Sequence, residues 1–299
     1  MKLLMLAVPI LAFTIIYSNR VIDNPQASSK PPVNPAIESG YIEVDGGKIF
    51  YDVAGQGPVI VMVHDGLLHR ETWDAQVASF AKNYRVIRWD RRGYGRSDIP
   101  KAPYSDLDDL LALFKALKVE RATILGCSAG GMLSIHFTLD HPELVSSLIL
   151  VGPIVSGFRF SDHFIKRGER GMPDNNAPVE QKIEYWTSKD PWIIAPENAA
   201  AKKRMKELLT ANPQNLSVPF QFNRLPSDAA LGRLSQIKVP TLIVVGESDV
   251  PDVHAHVGAI QSGITNSQRV VLIHSGHLPH MEVPDAFNRV VLDFLQNVK

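Results

Sequence analysis

A single cysteine, Cys127, is all the thiol chemistry available in 299 residues. One thiol excludes an internal disulfide and any metal site built from clustered thiolates. Net charge is missing too. The 31 basic residues balance 31 acidic ones and no basic block stands out, so nucleic acid is a poor candidate partner. Long apolar runs are scarce: the most extended is Leu3 to Tyr17, shorter than the roughly 20 residues that a helix needs to span a bilayer. Internal repeats are absent. What remains is an ordinary globular composition, 45% hydrophobic and 21% charged, in a chain long enough for one large α/β domain or two modest ones.

The apolar run has Lys2 before it and "SNR" after it. A positive start and a run of this length match a secretory signal. No A-x-A cleavage site follows, and Ser18 and Ala27 are weak cut points, so an uncleaved anchor stays open. The next stretch, "VIDNPQASSKPPVNP", has the Pro, Ser and Asn content of a linker. The expected organisation is a signal peptide or membrane anchor over residues 1–20, a Pro-rich linker over 21–39 and a folded domain from about Gly40 to the C-terminus. The expected location is outside the cytoplasm, periplasmic or secreted, or tethered to a membrane through this segment alone.

Beyond Gly40 the pattern alternates. "YIEVD" and "KIFYDVA" flank Gly46-Gly47 as a β-hairpin. Apolar runs of strand length follow at Pro58–His64, Arg85–Trp89, Ala122–Gly126, Ser147–Gly152, Thr241–Gly246 and Arg269–Ile273. Between them, helical spacing appears over Glu71–Ala81, Ser105–Leu117, Gly131–Asp140, Asp252–Ile260 and Pro284–Leu295. Ser105 stands where an N-cap belongs, with Asp108 in the first turn. Strands alternating with helices predict an α/β fold whose mostly parallel central sheet is flanked by helices. From about 155 to 234 no strand candidate appears, and "PENAAAKKRMKELLTA" is strongly helical. This block reads as a helical cap inserted between two strands, on the side of the sheet where ligands bind.

Gly126-Cys127-Ser128-Ala129-Gly130 fits G-x-S-x-G. Alone, the pattern arises by chance in roughly one chain of this length in ten. Its context is more telling, because a strand runs into it and a helix runs out. That is a nucleophile elbow, in which small neighbours permit a strained backbone and expose the Ser128 hydroxyl. The same frame turns Cys127 toward the packed side, as a small apolar filler without a base.

An alcohol needs a base to take its proton, and the base needs an orienting acid. The elbow predicts the order Ser, Asp or Glu, then His. Asp249 follows the strand "TLIVVG", with Glu247 and Asp252 as rivals, and His277 follows "RVVLI", with His274 and His280 as rivals. The three histidines also raise a metal reading, but Gly276 and Pro279 lie between them and prevent one helix from aligning them. An oxyanion hole needs two donors: the Ala129 N–H at the head of its helix, and one from the loop after "PVIVMVH", either Gly66 or Leu67. Trp73, further along, reads as core.

With "VHDG", "WDRRGYGRSD", "GCSAGG", "RLSQIKVPTLIVVGESD" and "GHLPHMEVP" in that order, the chain from Gly40 onward resembles the α/β-hydrolase fold superfamily. The similarity is to its capped esterase and lactonase-like branch, akin to 3-oxoadipate enol-lactonase and the cofactor-free perhydrolases and esterases. The resemblance implies Ser128 as nucleophile, Asp249 as acid, His277 as base, a lid made by the insertion, and no cofactor or metal. It implies a serine hydrolase acting on a small carboxylic ester or lactone. The alternatives are perhydrolysis or haloperoxidation, carbon–carbon bond hydrolysis and acyl transfer, and, in another class, a hydrolase-like ligand sensor. Serine at the apex disfavours haloalkane dehalogenases and epoxide hydrolases, which carry aspartate there. The "WDRRGYGRSD" turn is a structural feature more than a catalytic one. One departure stands out: the family's His-Gly pair is His64-Asp65 here, and a carboxylate facing the pocket would oppose a developing oxyanion. Asp65 is therefore expected to turn away and hydrogen-bond its own loop.

Overall fold

In the computed structural model, residues 19–22, 35–169, 172–174 and 176–298 are described, those at 19–22 and 167–169 by backbone alone. Nine strands form one sheet: β1 (Asn19–Ile22), β2 (Ile37–Val44), β3 (Gly47–Ala54), β4 (Val59–Val63), β5 (Arg85–Trp89), β6 (Ala122–Cys127), β7 (Val145–Val151), β8 (Thr241–Gly246) and β9 (Ser267–Leu272). Their spatial order is β1-β9-β8-β7-β6-β4-β5-β3-β2. Among the described residues only the β2–β3 and β3–β5 pairings are antiparallel, so the sheet is mostly parallel, as expected. The apolar runs explain why. Every residue of β6 and β8 is buried, which requires both faces of the sheet to be covered. Successive side chains alternate between two cores: Ile60, Met62, Leu125 and Cys127 enter one, and Val61, Val63 and Ile124 enter the other.

Helices α1 (Asp74–Phe80), α2 (Asp106–Ala116), α3 (Ala129–Asp140), α7 (Pro251–Gly263), α8 (Pro279–Glu282) and α9 (Pro284–Asn297) supply that cover. The Ser105 hydroxyl accepts the Asp108 N–H at 3.2 Å as the N-cap of α2. Nearly every residue of α3 is buried, as befits a helix apolar all round. The segment expected as one helix over 71–81 divides into a 3-10 turn, Arg70–Trp73, and α1. Arg70 is anchored there by Asp90 through its backbone N–H and by Asp52 and Asp90 through its guanidinium. Trp73 is fully buried, in keeping with a core role.

At the N-terminal edge the structure differs from the sequence reading. The hairpin starts at Ile37 rather than Gly40, and Asn19–Ile22, at the junction of the expected leader and linker, pairs in parallel with β9. A four-residue edge strand needs only backbone pairing and carries no alternating signal. The apolar run Leu3–Tyr17 lies outside the described residues. Among those described, no helix is long and apolar enough to cross a membrane.

Between β7 and β8 the described residues hold no strand, only α4 (Asp162–Glu169), α5 (Val179–Glu184), α6 (Ala199–Ala211) and short turns. Met205, Leu208 and Leu209 of α6 join the first core. The insertion lies against loops that leave the carboxyl ends of strands: Asn215 bonds Gly95 N and the His69 ring, and Trp192 bonds His277. The chain order also places a switch at β4, since β5 pairs on one side of it and β6 on the other. Crevices at such points are where open α/β sheets bind ligands.

Candidate active site

Ser128 sits between β6 and α3 with φ 52° and ψ −114°. A non-glycine residue in that region holds about 1–3 kcal/mol of strain, and its small neighbours make it possible. A Cβ on Gly126 would meet Gly130 O and Ser134 Oγ, and one on Gly130 would meet the carbonyls of Val63 and His64. The elbow is thus pressed onto the end of β4. The half-exposed Ser128 side chain makes no hydrogen bond to cap its own helix, which leaves the hydroxyl uncommitted there. Cys127 is fully buried in the first core. Burial, reinforced by the charges of Asp65 and Asp249, pushes its thiol well above the usual range. It is a packed thiol, not a thiolate.

His277 Nδ1 lies 2.9 Å from Asp249 Oδ1 and 3.0 Å from Oδ2. A carboxylate at Nδ1 fixes the proton on that nitrogen and leaves Nε2 as the acceptor. Both residues are buried. The rivals are elsewhere. Glu247 and His274 are exposed, and Asp252 accepts the Ser161 N–H at 2.6 Å and its hydroxyl at 2.7 Å. His280 is fully buried, with Nε2 2.8 Å from Thr72 Oγ1 and its ring against Trp73. Its desolvation, with His277 nearby, lowers its pKa to about 3. Among the described residues no group of three or more His, Cys, Asp or Glu is arranged to hold a metal ion.

Ser128 is joined to the pair through the backbone. Its N–H donates to Val151 O at 2.9 Å, and the next residue, Gly152, lies beneath the pair: a Cβ there would stand 3.0 Å from both Asp249 Oδ2 and His277 Nδ1. The three candidates thus converge on the ends of β6, β7, β8 and β9.

The loop after β4 closes the other side. Asp65 Oδ1 accepts the N–H groups of Leu67 and Leu68 at 2.7 and 2.8 Å, so the carboxylate braces its own loop. Leu67, one of two candidates for the second oxyanion donor, therefore has its N–H already committed. Gly66 approaches the elbow closely, since a Cβ on it would lie 3.5 Å from the Ala129 Cβ, and the Gly66 carbonyl accepts the Tyr94 hydroxyl at 2.9 Å. The Ala129 N–H belongs to the first turn of α3, where helices leave donors without intrahelical partners. His64 is a strut beneath the loop. Its Nδ1 donates to Asp65 O at 2.7 Å and its Nε2 accepts the Arg91 N–H at 3.0 Å. Burial, together with the Arg91 charge, holds it neutral, with its pKa well below the ordinary range.

The 90–98 turn is built from buried ion pairs. Asp90 holds Arg70, Arg91 pairs with Asp106 at 2.7 Å, and Arg92 pairs with Asp109 at 2.7 Å. A cavity of about 530 Å³ runs from Gly66 and Leu67 under the insertion, where Trp186, Leu216, Val218 and Phe220 line it, a size that suits a small-molecule ligand. A larger one, about 780 Å³, is lined by the insertion alone and does not reach Gly66 or Leu67.

One buried carboxylate went unremarked in the sequence although it stands in "GHLPHMEVP". Glu282 accepts N–H groups from Gly276 and Leu278 on either side of His277. Its position five residues past the histidine was the only signal.

Known proteins resemble this chain over most of its length. Residues 60–290 match the model of the alpha/beta hydrolase family. The 2-hydroxy-6-oxo-6-phenylhexa-2,4-dienoate hydrolase of Comamonas testosteroni is 28% identical over 83% of this chain and 91% of its own. The pimeloyl-[acyl-carrier protein] methyl ester esterase of Vibrio atlanticus is 28% identical over 83% of this chain and 98% of its own. Among solved structures, Est816, described as an N-acyl homoserine lactone degrading enzyme, is 28% identical with a TM-score of 0.65, covering 85% of this chain and all of its own. With the elbow, the parallel sheet and a match over more than half its length, the chain belongs to the alpha/beta hydrolase family and is a hydrolase.

Proposed function

We propose that the protein is a serine hydrolase that cleaves a small carboxylic ester or lactone through Ser128, His277 and Asp249. The observation that carries this reading is the His277–Asp249 pair, seated over Gly152 beside the strained Ser128 elbow. Ser128 Oγ attacks the substrate carbonyl while His277 Nε2 takes its proton. Asp249 keeps the imidazole in the required tautomer and stabilises the cation that forms. The Ala129 and Gly66 N–H groups bind the oxyanion, Gly66 rather than Leu67 because the Leu67 N–H is held by Asp65. His277 then protonates the leaving oxygen, and water, activated by the same imidazole, releases the acyl group. The insertion acts as a cap, and its apolar lining at Trp186, Leu216 and Phe220 favours an apolar acyl or alcohol group. An ester or lactone fits both the esterase and the lactone-degrading protein among the similar chains.

The test is labelling of folded protein with a fluorophosphonate, followed by peptide mapping. The expected result is one adduct, on Ser128, and its absence rejects the reading. A second reading, carbon–carbon bond hydrolysis, is favoured by the Comamonas relative, whose named substrate is a keto acid without an ester. Turnover of a vinylogous 1,5-diketone with no turnover of nitrophenyl esters selects it.

A further inference from the structure

We propose that Glu282 is a positioning residue for His277, fixing the loop that carries the imidazole and tying that loop to the insertion. The proposal rests on the reading of His277 as the general base. Glu282 ends the short helix α8, is 8% exposed, and has no basic partner in the contacts it makes. Four hydrogen-bond donors converge on it instead. Oε1 accepts Gly276 N–H at 2.9 Å and Leu278 N–H at 3.3 Å. Oε2 accepts Ala195 N–H at 2.7 Å and Asn198 Nδ2 at 3.0 Å. The N–H between the first two, that of His277 itself, donates to Trp192 O at 2.9 Å and Ile193 O at 3.2 Å. Three consecutive amides around the base are thereby committed, the outer two to one carboxylate oxygen and the middle one to the insertion.

The insertion side of this clamp is itself braced. Asp190 Oδ1 accepts the N–H groups of Trp192 and Ile193 at 2.9 and 3.0 Å, and Asn198 Nδ2 also donates to His274 O at 2.7 Å. The backbones approach so closely that a Cβ on Gly276 would meet Trp192 O. Asp249 fixes the tautomer and plane of the ring, whereas Glu282 fixes where the ring's own backbone stands relative to the insertion. An acceptor-only group is required, because donors arrive at both oxygens. Burial raises the pKa of Glu282, and the four hydrogen bonds oppose that rise. Such a buried carboxylate is tolerated because its lone pairs are met.

Glutamine at this position keeps the volume but turns an NH2 group toward two of the donors. Glu282→Gln is expected to lower per-site kcat roughly 10- to 100-fold with KM changed less than about threefold, the range that follows when a reacting group is displaced by a fraction of an ångström to one ångström. The experiment counts active sites by fluorophosphonate titration and then measures kcat and KM on a nitrophenyl ester. A full count of sites with slow turnover and slow labelling supports the proposal. A reduced count with normal turnover per site means a merely structural role and overturns it, as does a full count with unchanged turnover. If Glu282→Gln does not fold, Asn198→Ala serves in its place. It removes one of the four donors and is expected to lower per-site kcat about threefold, and unchanged turnover there overturns the proposal. Wild-type protein run in parallel separates the two readings: an absent Ser128 adduct rejects the proposed function, whereas a normal wild-type adduct with a wild-type-like variant rejects the role of Glu282 alone.

Discussion

Ser128 and the Gly66 loop follow β6 and β4, neighbouring strands, with Gly130 of α3 pressed onto the end of β4, whereas Asp249 and His277 stand on loops after β8 and β9, and the His277 loop leans on the insertion. The nucleophile side is held by what the sheet itself provides: a strained turn, glycines where strands and helix touch, and the Asp65 carboxylate folded onto its own loop. The base side is held from outside the sheet, by Trp192 O, Ala195 N and Asn198. The difference teaches that the insertion hydrogen-bonds the proposed base His277 itself, whereas on the side of the proposed nucleophile it bonds His69 and Gly95 rather than Ser128, which rests on packed β-structure.

The largest expected effect removes the nucleophile side altogether. Ser128→Ala should lower kcat about 10⁶-fold while leaving the thermal transition near that of the wild type, measured by calorimetry beside ester turnover. Residual turnover within a factor of ten would mean that another group attacks. Next comes the base side: Asp249→Asn should cost about 10⁴-fold in kcat, because an amide can present its NH2 to Nδ1 and favour the wrong tautomer. The Val250 N–H contact to Oδ1 favours that orientation, because the amide oxygen keeps this bond while the NH2 takes the place of Oδ2.

The third prediction sharpens the comparison through pH. His280, packed beneath the base loop, has its pKa lowered by burial from 6.5 to about 3. Between those values the unfolded chain binds a proton that the folded chain does not, so stability rises with pH across that window and falls as pH drops through it. The slope from this one site is at most about 1.4 kcal/mol per pH unit. His280→Gln should flatten the difference in urea midpoint between pH 5 and pH 7 relative to wild type. An unchanged difference would mean that His280 is protonated in the folded state. The smallest effect belongs to the nucleophile side. Cys127→Ala should cost roughly 1 kcal/mol of stability and leave kcat within about threefold, and iodoacetamide should leave native activity intact. Inactivation by that reagent would show a thiol far more accessible than one fully buried in the core.

Much of this was legible in the sequence because it rests on local chemistry. Buried parallel strands announce themselves as continuous apolar runs, and β5 and β8 have the bounds that those runs marked. Asp249 and His277 lie just past such runs, but so do Glu247 and His274; the resemblance of "GESD" and "GHLPH" to the hydrolase pattern singles them out, and the structure pairs them. What was not legible depends on groups meeting across the fold. The choice between Gly66 and Leu67 turns on the Asp65 side chain reaching two residues forward to the Leu67 N–H, a rotamer that no pattern encodes. Glu282 looks like any first-turn carboxylate until Ala195, Asn198 and the His277 loop arrive around it. The strand at Asn19–Ile22 exists only because β9, some 250 residues later in the chain, offers it an edge.

The spacing of the candidate residues along the chain also has a consequence during synthesis. Ser128 leaves the ribosome well before Trp192, and His277 later still, so at roughly 5–20 residues per second about 7 to 30 seconds separate the proposed nucleophile from its proposed base. Throughout that interval the elbow carries an ordinary alcohol, without the imidazole that makes it reactive. The insertion that clamps the base loop is already made when His277 emerges. Under the proposed mechanism the chain stays silent toward esters until His277 has been made, 149 residues after Ser128, and the order of translation itself guards against a half-built site.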